Sequence, residues 1–318
     1  MSKLPWHHQR GAAILTAMII VTLVATLTSA MVWQQWRALQ IEAAERARAQ
    51  SAWILSGALD WARLILREDA RTGGADHLGE PWAVPLAEAR LSTFLAADRD
   101  NTDGAPDAFL AGSIADAQSR WNLRNLIDAE GKIVEAEVRT LGRLCDLVQT
   151  DPAVAERVAT ALQSALRASR SAASDDAAPL MPEDSSQLGW LGIDADALRR
   201  LAPYILVLPQ ATPVNLNTAP REVIAAATQG LDLASAERLV QARQRNPFRA
   251  LSDAQALLSA SVALDPARVS TSSNYFEVRG SLRLGDRVLE ERSLVQRRGI
   301  EVVAVYRQRL STTDTGAR

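Results

Sequence analysis

Few residues in this chain have the types and spacing for chemistry. The stretch Asp98-Arg99-Asp100-Asn101-Thr102-Asp103-Gly104-Ala105-Pro106-Asp107 places four carboxylates and an amide close together. Asp98, Asp100, Asp103 and Asp107 could supply hard oxygen ligands to calcium. The run lacks the bidentate Glu that closes an EF-hand loop. It equally suits a solvated turn, in which short Asp and Asn side chains bond their own backbone. No catalytic set is visible. His7 and His8 sit near the N-terminus, His77 stands in a loop, and Cys145 has no His nearby in sequence. There is no phosphate loop and no Cys/His metal-ligand cluster, so no enzyme activity is expected.

Composition bounds the rest. The chain has 318 residues, 47% of them hydrophobic, and a formal net charge of −2. That length suggests about two domains beyond an anchor, and that charge argues against general polyanion binding. A single cysteine excludes an internal disulfide and leaves an oxidising compartment allowed.

The elements that must position these residues begin with an uncharged apolar run from Ala12 to Trp33. Lys3 and Arg10 precede it, and no charged residue follows until Arg37. A helix of about 22 residues is roughly 33 Å long, enough to cross the hydrocarbon core of a bilayer. Trp33 and Trp36 stand at its far end, where amphipathic rings favour the interface. A cleaved secretory signal, with Thr28-Ser29-Ala30 as a weak cleavage site, is one reading; a plain signal anchor is another.

Helical patterning continues to about Glu68 without proline, with Ala52, Leu55, Leu59, Ala62 and Leu66 on one face. Gly73, Gly74, Gly79, Pro81 and Pro85 mark a loop, with a short strand around Trp82 and Val84. Residues 112–134 read as a hairpin with its turn around Asp128–Gly131, and it includes Trp121-Asn122-Leu123-Arg124-Asn125-Leu126. Helices follow over about 134–148 and 151–168, then a Ser/Ala/Asp/Pro-rich loop and a short helix at 194–201. Val214-Asn215-Leu216-Asn217-Thr218-Ala219-Pro220 leads into a helix at 221–228, with Thr218 expected as its N-cap. A second helix spans about 234–245, and Ser252 is expected to cap a third. Three alternating segments, 275–284, 287–296 and 300–306, read as an antiparallel meander.

Several of these features coincide in one family. Arg10-Gly11-Ala12 before an apolar helix resembles the leader of type IV pilins and pseudopilins. The resemblance implies cleavage between Gly11 and Ala12 and methylation of the new N-terminus by a prepilin peptidase. Most such subunits carry Glu at the fifth mature position, where this chain has Thr16. The asparagine-rich segments 121–126 and 214–220, with the C-terminal meander, resemble the K-type minor pseudopilins of type II secretion, the general secretion pathway protein K family.

The fold implied is α+β. A long N-terminal helix, transmembrane in its first part, packs on an antiparallel sheet interrupted by a large all-α insertion. The expected segments are a leader at 1–11, a membrane helix at 12–36, and sheet parts at 37–135 and 269–310. The insertion spans 136–268 and a flexible tail 311–318. The resemblance implies a single-pass inner-membrane protein with a periplasmic C-terminal domain. It would join I- and J-type minor pseudopilins at the tip of the major pseudopilin filament and initiate or cap it for export of folded proteins. No cofactor is required, and calcium is the metal the family brings to the Asp98–Asp107 loop.

The helix pair at 221–245 looks like a helix-hairpin-helix or SAM-like unit. The alternative function is therefore a membrane-anchored DNA receptor of the competence type. Asp232 stands where the second glycine of a phosphate-binding turn would be, so the expectation is that no nucleic acid binds.

Overall fold

The computed structural model describes residues 10–91, 108–170, 179–183, 185–284 and 287–313. The chain divides into two units, 1–56 and 57–318.

The first unit is helical. It holds the start of α1 (Arg10–Thr72), which continues into the second unit. No proline interrupts α1, and good helix formers fill it. Its apolar stretch has a mean hydropathy of 2.2, which makes it the one described helix able to cross a membrane. The threonines of that stretch do not leave their hydroxyls unpaired. Thr16, Thr22, Thr26 and Thr28 each donate to a backbone carbonyl three or four residues back. In lipid, which offers no partners, this internal pairing makes a threonine tolerable. Beyond the apolar stretch, Glu42–Arg46 and Glu45–Arg48 form exposed ion pairs along the helix.

The second unit is built on a five-stranded antiparallel sheet in the order β1-β2-β7-β8-β9. Its strands are β1 (Leu86–Arg90), β2 (Ala108–Asp116), β7 (Tyr275–Leu284), β8 (Arg287–Arg298) and β9 (Glu301–Thr313). The last turns of α1 lie on it: Leu59, Ala62 and Leu66 pack with Trp82, Phe276, Val278, Val295 and Val302. These helix residues are spaced three and four apart, as one face of a helix requires. Trp82 meets Phe276 edge to face, with ring centroids 5.3 Å apart. The helix ends where Gly73 takes a φ of 67°, a left-handed cap that a side chain would strain.

The expected meander is present, and β9 runs on through Thr313, past the boundary placed at 310. A one-residue bulge interrupts the β8–β9 register at Leu294/Val295. Of the hairpin expected at 112–134 only the turn end is present, where Ile127 and Ile133 bridge antiparallel around Asp128–Gly131. Instead β2 starts at Ala108, leads directly to the sheet centre and pairs with β7 from Ala108↔Leu284 to Asp116↔Phe276. The strand expected around Trp82 is a short 3-10 turn, Pro81–Ala83, followed by β1.

The helical part is inserted between β2 and β7. It contains α2 (Glu135–Leu147), α3 (Val154–Arg170), α4 (Ala195–Leu201), α5 (Arg221–Ala227), α6 (Leu233–Arg245) and α7 (Leu251–Gln255). Two short parallel bridges tie its segments: β3 (Trp121–Asn122) to β4 (Ile205–Leu206), and β5 (Val214–Asn215) to β6 (Val269–Ser270). Its core reaches back to Trp121, Leu123, Leu126 and Ile127, which the boundary at 136 had grouped with the sheet. Trp121 alternates with polar neighbours as a strand residue would, but Asn122 is itself buried and Arg120, Arg124 and Asn125 are half-buried, so the alternation did not mark a sheet face.

Candidate functional site

Asparagines hold the insertion together, each clamping a distant stretch of its backbone. Asn122 donates from Nδ2 to the Gln210 carbonyl and to Thr212 Oγ1, and its Oδ1 accepts from Arg124 N and Leu208 N. Asn125 donates to the Thr212 carbonyl and accepts from Thr212 N, at 3.0 Å each. Asn217 holds Phe248 in the same two-ended way, at 2.9 Å each. An amide offers a donor and an acceptor on one short stem, which suits it to buried backbone that lies outside helix and sheet. The two asparagine-rich segments are thus structural clamps on the insertion.

Asn215 makes the central junction. Its Nδ2 approaches the Asp76 carbonyl, Asp116 Oδ2 and Ser273 Oγ within 3.0 Å, and its Oδ1 accepts from Asn217 N. Asp116, the last residue of β2, is the hub. Oδ2 also accepts from Thr218 Oγ1 at 2.5 Å and from Ser273 Oγ at 2.6 Å, while Oδ1 accepts from Gln118 N at 2.8 Å. Thr218 is therefore not the N-cap of α5; Pro220 is, and the threonine hydroxyl turns inward to the carboxylate. Ser252 does not cap α7 either: Ala250 takes the cap position, and Asp253 accepts from Arg249 N and Ala250 N. Burial pushes the Asp116 carboxyl up to about 6, against the pull of the Ser273, Thr218 and Gln118 hydrogen bonds, and the charge of Asp76 adds to the rise.

Asp76 sits beside this hub with only 2% of its surface exposed. Both its oxygens accept from Arg297 Nη2, at 2.7 and 2.6 Å, and Ser273 N donates to Oδ2 at 2.6 Å. Arg297 also reaches Asp69 Oδ2 at 2.7 Å and the Ser273 carbonyl at 2.6 Å. One guanidinium thus ties the last turn of α1, the following loop and the strand after the insertion. Asp69, Asp76 and Glu80 gather around it, one oxygen of each within 4.8 Å of the others. Arg297 already fills the centre of this group, so it is an ion-pair hub. The sequence marked none of Asp69, Asp76, Glu80, Asp116 or Arg297. They come from three segments, and only the loop position of Asp76 was readable.

The residues singled out earlier fall in different places. Gly11 and Ala12 lie in the first turn of α1. Asp98, Asp100, Asp103 and Asp107 lie outside the described residues. Cys145 is fully buried, and burial with the charges of Asp146 and Asp151 pushes its thiol up to about 11, which leaves it protonated and inert. Asp232 caps α6, accepting from Ser235 N at 2.6 Å, and that backbone bond holds its carboxyl below the usual range. An ionised carboxylate therefore occupies the amides that a DNA phosphate would need.

The family comparisons agree with this arrangement. Profiles described as type II secretion system (T2SS), protein K, match residues 119–210 and 214–272. These ranges hold both asparagine clamps and most of the helical core. A type II secretion system protein K from Pseudomonas aeruginosa is 28% identical over 305 residues, 88% of this chain and 86% of its own length. One from Pectobacterium carotovorum is 28% identical over 330 residues, 94% of this chain and 96% of its own. Among solved structures, the GspK-GspI-GspJ complex of the enterotoxigenic Escherichia coli type 2 secretion system contains a chain with the same fold. The TM-score is 0.63 at 19% identity, over 85% of this chain and 99% of that one. By its adjoining family matches and its near-full-length relatives, the chain belongs to the type II secretion system protein K family of minor pseudopilins.

Proposed function

We propose that this protein is the tip subunit of the periplasmic pseudopilus, placed there with I- and J-type minor pseudopilins. The similar solved chain is found in a complex with GspI and GspJ, which supports these partners. The observation that carries the tip position is Thr16. A carboxylate buried in a helical core without a partner costs several kcal/mol. Thr16 carries no charge, and its hydroxyl donates to the Ala13 carbonyl of its own helix at 3.0 Å. A subunit built this way does not need the amine of a subunit above it. The large insertion, carried on the sheet by the clamps described above, adds bulk that suits a terminal position.

In this reading a prepilin peptidase cuts between Gly11 and Ala12 and methylates Ala12. The helix from Ala12 then anchors the chain in the inner membrane, with the rest in the periplasm, until it enters the major pseudopilin filament. The test is the intact mass and N-terminal sequence of the protein from membranes of a host with its prepilin peptidase. A start at N-methylated Ala12 is expected, and Gly11→Leu should leave Met1 in place. Wild-type protein that keeps Met1 would remove the filament role. A second measurement addresses position. Gold labels against the insertion, on pseudopili lengthened by overproduction, should mark one end of each filament. Labels along the shaft would sink the tip assignment.

A further inference from the structure

The cluster at the end of α1 holds three carboxyl groups and one guanidinium in a polar recess of about 190 Å³. Fully ionised, it would carry a net charge of −2. Arg297 neutralises Asp69 and Asp76. Glu80 is held by other donors: its Oε2 accepts from His77 N at 2.9 Å and from Trp82 Nε1 at 2.8 Å. Asp69 and Glu80 also stand together, an oxygen of each within 4.8 Å of the other and of Asp76. Carboxylates that close repel one another, which favours a proton on one of them. Burial first, and then the charge of Glu80, hold Asp69 above the usual carboxylate range; burial also raises Asp76.

The segment these bonds close is short and hinged. Gly73 and Gly74 have φ values of 67° and 127°, and both line the recess. Trp82, whose indole N–H is fixed by Glu80, packs on Phe276 under the last turns of α1.

We propose that Asp69, Asp76 and Glu80 around Arg297 form a proton-controlled latch that fastens the end of α1 and the 73–83 segment to the sheet in acid and loosens them as the pH rises. Loss of a proton from this cluster leaves Asp69 and Glu80 facing each other as anions, with Arg297 already committed to Asp69 and Asp76. The sign is set by the raised carboxyls. Their stabilising effect is complete below the ordinary carboxylate range and is lost as the pH rises through the raised values. The other charged groups facing the cluster are Asp116, behind Asp76, and His77 in the loop. Asp116 has the same sign and does not touch Glu80. His77 lies on the loop, where its Nδ1 accepts from Gly79 N.

The test is amide hydrogen exchange by mass spectrometry on the full chain in detergent, with EDTA present throughout. Exchange over residues 73–83 is referred to amides of β7, which cancels the intrinsic effect of pH. Between about pH 5 and about pH 8 the relative protection should fall by more than about threefold, in the direction the raised carboxyls set. Glu80→Gln, whose neutral amide removes one of the facing charges, should keep the acid value at both pH values. Asp69→Asn, which still accepts from Arg297, should behave likewise and covers the case in which Glu80→Gln fails to fold. A wild-type change below about threefold overturns the latch. So does a variant that retains the wild-type change.

Discussion

Asn215→Ala should lower the unfolding free energy of the full chain by about 3–5 kcal/mol, the largest effect expected of a single polar substitution here. The amide removed is fully buried and meets four groups: the Asp76 carbonyl, Asp116 Oδ2, Ser273 Oγ and Asn217 N. Alanine replaces none of them. Each buried donor or acceptor left unpaired costs about 1–3 kcal/mol, and the groups share partners, so the sum is less than the parts. Residues from the loop after α1, from β2, and from both chain segments beside the insertion lose contact together. The melting temperature in detergent should fall by roughly 10 °C. Asn246→Ala, at an exposed helix end, should shift stability by about 0.5 kcal/mol or less. If Asn215→Ala cost no more than that control, the junction would not be what holds the insertion to the sheet.

Acid should stabilise the same junction through Asp116. The folded-state value of about 6 lies above the ordinary 3.8, because burial disfavours the carboxylate more than its hydrogen bonds favour it. The native state therefore binds a proton in a window where the unfolded chain does not. The resulting stability is complete below 3.8 and is lost as the pH rises through about 6. Across that interval the contribution is roughly 3 kcal/mol. Asp194 and Asp232 have lowered values and act in the opposite direction, so the raw wild-type profile is a sum. The difference between wild type and Asp116→Asn isolates the group. In the variant Oδ1 still accepts from Gln118 N and the Thr218 and Ser273 hydroxyls can reverse, while the Asn215 amide meets another donor. Wild type should exceed Asp116→Asn most near pH 4, and the gap should narrow by about 2–3 kcal/mol by pH 7. Parallel profiles, followed by urea unfolding at each pH, would show that Asp116 does not titrate there.

Much of this protein was readable because its strongest signals are local. The apolar run from Ala12 to Trp33 is long enough as a helix to cross a bilayer, and the alternation in 275–306 matches the pleat of a strand. The asparagine-rich segments were readable as a family resemblance, and a structural role for them follows from what asparagine can bond. Misreadings arose where local and long-range demands competed. Thr218 has the right residue type and position to cap α5, but a buried carboxylate offered its hydroxyl a stronger bond. Trp121 alternates like a strand residue, yet its side chain belongs to the helical core.

The sequence by itself determined the long apolar helix, the meander and the helical character of the insertion, since each is carried by composition or by spacing within a few turns; the family was legible as a resemblance of motifs. Tertiary structure alone decided the junction and the latch. Asp116 meets Asn215 across 99 residues, Ser273 meets Asp76 across 197, and Arg297 meets Asp76 across 221. Periodicity records which face of an element is buried, but a hydrogen bond between segments that far apart leaves no spacing to read. Its partners become neighbours only when the sheet closes around the insertion and water is excluded from between them.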